Sequence, residues 1–493
     1  IISKVYKLIG RPIDDISTLI NNCDEKVWDI YKNGLTCTIN QADSDSGRNL
    51  VMRYKPHNLA EMAAWVAAIR PGFASLLNTF IDRQKYSTGI PELDNILKDT
   101  FHFMMYQECI MSYLIWLGIE EKKTYDIIKK ISKKKFQPEE LEELKEKLFS
   151  NWKQKIGTED GFEATWQVVE DAARYSFNAS HALSMAIDSL YGAYLKAHYP
   201  LEYYTVVLSL YSDDMERTAK LTEELKYFGI KIEQIRFRKS GPDYTLDKKE
   251  RKIYKGLASV KFCNSQIAEE LQALSHNQYN NFTEVLADVN TKTSVNSRQL
   301  TILIGLNYFE EFGKNQYLMQ VTDLYNKFAT CKIISKKKLE DLGLTEYLMK
   351  KYAGKETASQ YRELNNAGLI AELSTRLEDK AMSVIDQVKF EKEYLQYVVY
   401  VNPKVNQCFY VVTDYKTFKE VRKPYCVLHN IKTGEDVKAR VTSIKVYQDN
   451  PFGEFSILKV PHFTKKKKKK CVNGTWQETD ELENILVEYE VIK

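Results

Sequence analysis

Residues 175–200 read YSFNASHALSMAIDSLYGAYLKAHYP, and the way this stretch folds decides the first half of the chain. From His181 onward the residues are apolar, Ala-rich and helix-forming, and Pro200 marks the stop. Just before that run stand Asn178, Ser180 and His181, side chains with hydrogen-bond donors packed into four positions. Two readings of this start are open. Asn and Ser are favoured N-cap residues, so the cluster can simply close a helix end. A helix N-terminus also offers free N–H groups and partial positive charge, so the same cluster can cradle a phosphate.

The segments on either side carry the same helical period. NLAEMAAWVAAI (58–69) stops at RPG (70–72), and QECIMSYLIWLGI (107–119), TYDIIKKI (124–131) and PEELEELKEKLF (138–149) read as further helices. LTCTINQ (35–41) alternates enough to predict a short strand closing in the turn DSDSG. Asp43 and Asp45 have the D-x-D spacing of a Mg2+ site, but Asp and Ser before Gly are ordinary turn chemistry and no third acid is poised with them. The turn is favoured.

The character changes near residue 230. Short strands at KIEQIRF (231–237) and RKIYKGL (251–257) lead into two helix–turn–helix units at about 264–288 and 295–310. A Lys/Glu-rich stretch over 331–385 reads as a helical linker. After 393, segments such as YLQYVVYV, QCFYVVTDY, KPYCVLHNI and ILVEYEVI alternate with turn signals and predict a small barrel or sandwich. The expected fold class is multidomain and mainly α, followed by a C-terminal β-rich, OB-fold-like module. The expected divisions are 1–30, 31–230, 231–330, 331–385 and 386–493.

The 71 basic and 67 acidic residues leave a net charge of +4, so any nucleic-acid-binding basicity is local. KKISKKK (129–135) places five lysines in seven positions, and Lys465 to Lys470 form an unbroken run. Either run can be a solvated surface or a phosphate-binding one. In the second case the six lysines read as a β-hairpin loop. The 32 Tyr and 21 Phe suit base stacking where they interleave with basic residues, although most belong in a core. Eight cysteines without a CxxC pair argue against a disulfide scaffold or a zinc site and fit a reducing cytoplasm. There is no signal peptide and no apolar run long enough to span a membrane, so no membrane partner is expected. The first residue is Ile, which reads as a start inside a longer reading frame.

Taken in order, RPG, YQE, KKISKKK, FNASH and YLKAHYP resemble the C family of bacterial replicative DNA polymerases, the DNA polymerase III alpha subunits. FNASHALSMA and LKAHYP stand where the family has FNKSHAxxYA and LKAHYP. TFHFMMYQECIM (100–111) resembles TxGxxxYQEQVM, IRPGFASLLNTFIDRQKY (69–86) resembles the RPG…FIDRK segment, and NQADSDSG (40–47) falls on FQxES…G. KGLASVKFCNSQIAEEL (255–271) is similar to the family's helix-hairpin-helix, GLxxIKGVGxxxxxxI, with Phe262 and Asn264 at its two hairpin glycines. Ala179 replaces a Lys, and Lys129 and Lys130 replace an Arg pair, which loses bidentate phosphate geometry.

The resemblance implies the C-terminal half of such a polymerase: the end of the palm, fingers, a helix-hairpin-helix region and an OB-like module. It implies that Arg70, Lys129, Lys130, Asn178, Ser180 and His181 bind the triphosphate of an incoming dNTP. It also implies DNA contacts from Arg83, Lys133, Lys134, Lys135, Lys255, Gly256 and Lys261. Tyr410, Lys416, Tyr447, Lys465, Lys466, Lys467 and Lys468 are the expected contacts of the β module. The family's catalytic aspartates, which hold Mg2+, are expected upstream of residue 1, so this segment alone is expected to be inactive. Primer–template DNA and dNTP are the expected partners. A sliding clamp is a further one, through QVTDLY (320–325), although an ordinary helix accounts for that segment as well. The alternative is a non-catalytic nucleic-acid-binding protein or one subunit of a split polymerase.

Overall fold

In the computed structural model, residues 1–132, 135–175, 177–416, 424–472 and 475–492 are described. The chain divides into two compact units, Ile1–Lys231 with Lys248–Ile253, and Ile232–Asp247 with Tyr254–Lys493.

The first unit is helical. Its axis is the helix Ala179–His198, which ends one residue before the helix Pro200–Leu210. Ala182, Ala186, Leu190, Ala193 and Leu195 are buried on it, and it packs against Leu59–Ala68, whose Ala63, Ala64, Ala67 and Ala68 keep the two backbones close. Gly192 belongs to the same close packing, since a Cβ there would lie 3.0 Å from Ile39 Cδ1. A second core joins the helices Gln107–Trp116, Glu121–Ser132, Pro138–Ile156 and Phe162–Tyr175 around Tyr113, Trp152 and Trp166.

The strand expected at 35–41 does not form. Its backbone is taken by buried side chains instead: the Lys196 ammonium donates to the carbonyls of Leu35 (2.8 Å) and Cys37 (2.7 Å), and Glu224 accepts the Cys37 N–H (2.9 Å). DSDSG is a helix start, with the Ser44 hydroxyl accepting from the Gly47 N–H at 3.0 Å. Asp43 pairs with Arg217 at 3.2 Å and Asp45 with Lys220 at 3.4 Å, so the stretch expected as a turn caps and opens a helix, with both carboxylates held by cations of the chain.

The second unit includes the helices Ser265–Leu274, Phe282–Lys292, Ser297–Gly305 and Asn315–Phe328 around Leu271, Val285, Leu303 and Phe309. The stretch 331–385 is not a helical linker. It holds a small antiparallel sheet ordered Ile333–Ser335, Gln360–Leu364, Ala353–Glu356, with its own core of Ile334, Leu348, Tyr361 and Leu369. Strands of three to five residues are too short for alternation to show among Lys and Glu.

The β-rich module is present as a curled half-barrel of seven strands, consistent with an OB-fold-like module. Their order is Thr464–Val472, Thr475–Leu486, Asp436–Val441, Tyr425–Asn430, Phe409–Lys416, Ile457–Lys459, Glu490–Ile492. All neighbours run antiparallel except Thr475–Leu486 beside Asp436–Val441. YLQYVVYV is not one of these strands. The helix Val384–Leu395 runs into it, and the buried Glu391 carboxylate then accepts the N–H groups of Val399 (2.8 Å) and Tyr400 (2.9 Å).

Candidate nucleotide and nucleic-acid interface

The first candidate site is built on the start of Ala179–His198. Asn178 has extended backbone and is its N-cap: Oδ1 accepts from the N–H groups of Ser180 (3.0 Å) and His181 (3.2 Å), and from the Ser180 hydroxyl. The remaining N–H, that of Ala179, donates to Glu108 Oε2 at 3.0 Å, and the Asn178 amide donates to Glu108 Oε1 at 2.8 Å. A carboxylate of the chain itself therefore sits on the positive end of the helix, where an anion is favoured. It is delivered by YQE: the Gln107 N–H donates to the Phe177 carbonyl at 3.1 Å, and Tyr106 bridges Phe177 in parallel register.

Arg70 completes the cluster. Its guanidinium lies over the Phe177 ring at 4.4 Å and donates to Gln41 Oε1 at 2.5 Å, while its buried Nε has no hydrogen-bond partner among the described residues. Burial lowers the Arg70 pKa, as desolvation of a cation does. The His181 ring lies 4.8 Å from that of Phe177. The fold thus gathers Arg70, Asn178, Ser180 and His181, together with Glu108 and Gln41. These last two were in the quoted motifs but were not singled out as site residues. The signal was present in YQE, an acid at the head of its own helix, but its partner lies about 70 residues away and only the tertiary fold joins them.

Lys129 and Lys130 are exposed in the last turn of Glu121–Ser132, with their ammonium groups over Tyr125 (5.8 Å) and Phe136 (5.2 Å). Lys135 is exposed after that helix, and its N–H donates to the Lys130 carbonyl at 2.9 Å; Lys133 and Lys134 lie outside the described residues. Arg83 is engaged within the fold. It pairs with Glu61 at 2.5 Å, donates to the carbonyls of Tyr54 (2.9 Å) and Lys55 (3.0 Å), and stacks on Tyr54 at 4.4 Å.

In the hairpin region Phe262 takes φ +70°, the left-handed conformation that the family's glycine would adopt freely. The Arg298 guanidinium covers its ring at 3.9 Å, and Gln299 donates to its carbonyl at 3.0 Å. Asn264 caps Ser265–Leu274 by accepting from the Ile267 N–H at 2.9 Å. The left-handed turn at 262 is therefore held by a residue other than glycine. Gly256 answers to packing, since a Cβ would lie 2.4 Å from the Pro242 carbonyl oxygen. Lys261 is exposed, and Lys255 is half-buried against Tyr397 at 3.9 Å, with burial lowering its pKa to about 7.

In the half-barrel the lysine run is a strand and not a hairpin loop. Lys465 to Lys468 are exposed on Thr464–Val472, which borders the acidic strand Thr475–Leu486. Lys468 pairs with Glu481 at 3.0 Å and Lys467 with Asp480 at 4.0 Å. Lysines along an edge strand also discourage pairing with another chain. Lys416 is exposed at the end of its strand. The Tyr447 hydroxyl contacts that of Tyr415 at 2.5 Å, and the Tyr410 ring meets Phe463 edge-on at 5.5 Å, so both rings pack within the module. QVTDLY lies inside the helix Asn315–Phe328 with Val321 and Thr322 buried. Among the described residues no group of three or more His, Cys, Asp or Glu is placed to hold a metal ion, and no helix is long and apolar enough to cross a membrane.

The fold is a helical unit followed by a second unit of hairpin helices and a half-barrel, and comparison with known proteins places both kinds of element in one class. Residues 1–156 match the bacterial DNA polymerase III alpha subunit finger domain, and residues 229–319 match a helix-hairpin-helix motif. The DNA polymerase III subunit alpha of Campylobacter jejuni is 28% identical over 326 residues, covering 64% of this chain and 27% of the relative. That of Aquifex aeolicus is 29% identical over 297 residues, covering 58% and 25%. That of Xylella fastidiosa strain Temecula1 is 28% identical over 317 residues, covering 63% and 26%. The chain is similar to the C-terminal region of a C-family polymerase, as its motifs indicated, and spans about a quarter of the length of the curated relatives it matches.

Proposed function

We propose that this chain supplies the fingers and the primer–template-binding elements of a replicative DNA polymerase. In this reading it grips the triphosphate of an incoming dNTP at the start of Ala179–His198. The observation that carries the reading is the seat of Glu108. Its carboxylate accepts the Ala179 N–H and the Asn178 amide, so this helix start already takes an anion, and the Arg70 guanidinium lies over the ring of Phe177, the residue before Asn178. Phosphate oxygens offer the same acceptors with more charge, and would replace the carboxylate on those donors. Exposed Lys129, Lys130 and Lys135 would add charge neutralisation, and the edge lysines Lys465 to Lys468 a backbone contact to single-stranded template.

Nucleotidyl transfer in this family uses Mg2+, which polarises the phosphoryl group and activates the primer hydroxyl. The described residues do not fit such a site, so the ions would be held by carboxylates outside them. The purified 493-residue chain is then expected to incorporate no nucleotide, and to bind primer–template DNA with an affinity that falls steeply with salt. Incorporation by the isolated chain would contradict this division of labour.

The decisive test is Ser180→Ala in a polymerase carrying this segment. Loss of a charge-assisted hydrogen bond lowers apparent nucleotide affinity or rate about ten- to a hundred-fold, while DNA binding is unchanged. If the cluster only caps a helix, the variant loses about 1 kcal/mol of stability and keeps its nucleotide kinetics. Melting temperature and single-nucleotide incorporation on the same variant separate the two.

A further inference from the structure

The FIDRQKY segment borders a second feature, away from the Asn178 helix start. A cavity of about 560 Å³ lies there, within the range of sites that take small ligands. Its walls are aromatic. Tyr54 and Phe80 stack at 4.6 Å, and Tyr86 and Phe103 stack at 4.4 Å with their planes 10° apart. Phe101, 6.3 Å from Phe80, is 43% exposed, an unusual state for a phenyl group with so many rings nearby. Phe101 and His102 both hold positive φ, +55° and +70°, a conformation that bulky residues adopt only when their surroundings impose it.

The remainder of the lining is polar, Gln84, Ser87 and His102 with three cations, Arg83, Lys85 and Lys98. Lys85 and Lys98 are exposed, and among the described residues neither has an ion-pair partner. Arg83 is held by Glu61 and two backbone carbonyls, so it builds the wall and leaves the lysines to meet a ligand. The His102 ring contacts the Tyr86 carbonyl at 3.2 Å, which ties the two sides of the opening together. Asp94, 4.0 Å from His102, accepts from the Thr88 N–H at 2.8 Å and from the Ser87 hydroxyl, and so braces the 87–94 loop.

An exposed ring over stacked rings, edged by free ammonium groups, matches one ligand chemistry: a flat π-system joined to an anion. We infer that this cavity takes an unstacked nucleobase with its neighbouring phosphate, presented by single-stranded DNA. The base stacks on Phe101, and Lys85 and Lys98 meet the phosphate. Base-plus-phosphate chemistry follows from the cavity itself; single-stranded DNA as its source rests on the polymerase reading above.

The test uses the complete 493-residue chain, a fluorescent single-stranded oligonucleotide, a primer–template duplex and free dNTP, followed by anisotropy and competition. Phe101→Ala is expected to weaken single-strand binding about ten-fold, with melting temperature and duplex-end affinity unchanged, and Phe101→Trp to restore it. Lys85→Gln with Lys98→Gln is expected to weaken it similarly and to flatten its salt dependence. Single-strand affinity equal to wild type in both variants overturns the inference, as does a loss confined to free dNTP. If wild type fails to bind primer–template, the polymerase reading falls, while the effect of Phe101→Ala on single-strand binding still decides this one.

Discussion

Two segments that alternate like strands, 35–41 in the first unit and 394–401 in the second, form no strand: the first is irregular throughout and the second is irregular after its first two residues end a helix, and for the same reason. In each, a buried charged side chain takes the backbone groups that a neighbouring strand would have taken. Lys196, fully buried, donates to the Leu35 and Cys37 carbonyls and pairs with Glu224 at 2.6 Å. Glu391, 4% exposed, accepts the Val399 and Tyr400 N–H groups and a hydrogen bond from Gln387 at 3.0 Å. The difference lies in compensation. Lys196 has a full ion pair and two tyrosine rings, at 5.4 and 5.3 Å, around its ammonium. Glu391 has hydrogen bonds but no ion-pair partner at contact distance among the described residues, and burial raises its pKa. A buried charge can organise a loop either way, but only the first arrangement leaves two opposite charges that depend on each other.

That contrast can be broken at its strong end first. Lys196→Met removes the cation, strands the Glu224 carboxylate and frees two buried carbonyls. It is expected to cost about 3–5 kcal/mol of stability, read as a shift in the urea midpoint of the first unit. The 35–41 loop carries Gln41, the acceptor for Arg70, so the proposed nucleotide site should loosen with it. Glu391→Gln keeps an acceptor for Val399 and Tyr400 but sets an amide against that of Gln387. The expected cost is about 1–2 kcal/mol, measured by the same titration. A larger loss for Glu391→Gln than for Lys196→Met would reverse the ranking drawn here.

A third prediction concerns pH. Burial lowers the Lys255 ammonium from 10.5 to about 7, against the opposing attraction of Glu391. The unfolded chain keeps the ordinary value, so between about pH 7 and 10.5 it binds more protons than the folded chain, and stability rises with pH across that window. Below about pH 7 both states are protonated and the gain is absent. Denaturation midpoints at pH 7 and 9 should differ for wild type, and this component of the difference should vanish in Lys255→Met.

Much of the first unit was legible from local pattern. The helix Ala179–His198, its Asn178 cap and its stop before Pro200 follow from apolar period and cap chemistry, because the Asn178 side chain and the N–H groups it accepts from are neighbours along the chain. The half-barrel was legible as a β-rich module for a similar reason. Its lysine run was misplaced in a loop because an exposed edge strand has no apolar face to reveal alternation. The small sheet within 331–385 was missed because its strands are three to five residues long and stand among Lys and Glu.

By itself, then, the sequence determined where the main helices lie, that a β-rich module follows them, and which motifs mark the fingers. These depend on interactions within a few turns of chain. Only the tertiary structure decided that Glu108 occupies the Asn178 helix start, that Lys196 and Glu391 turn would-be strands into loops, and that Phe262 holds a glycine conformation. Each of these rests on a partner brought from elsewhere in the fold or on a backbone angle imposed by packing. Buried backbone N–H and C=O groups must be satisfied, but which group satisfies them is fixed only when distant segments meet.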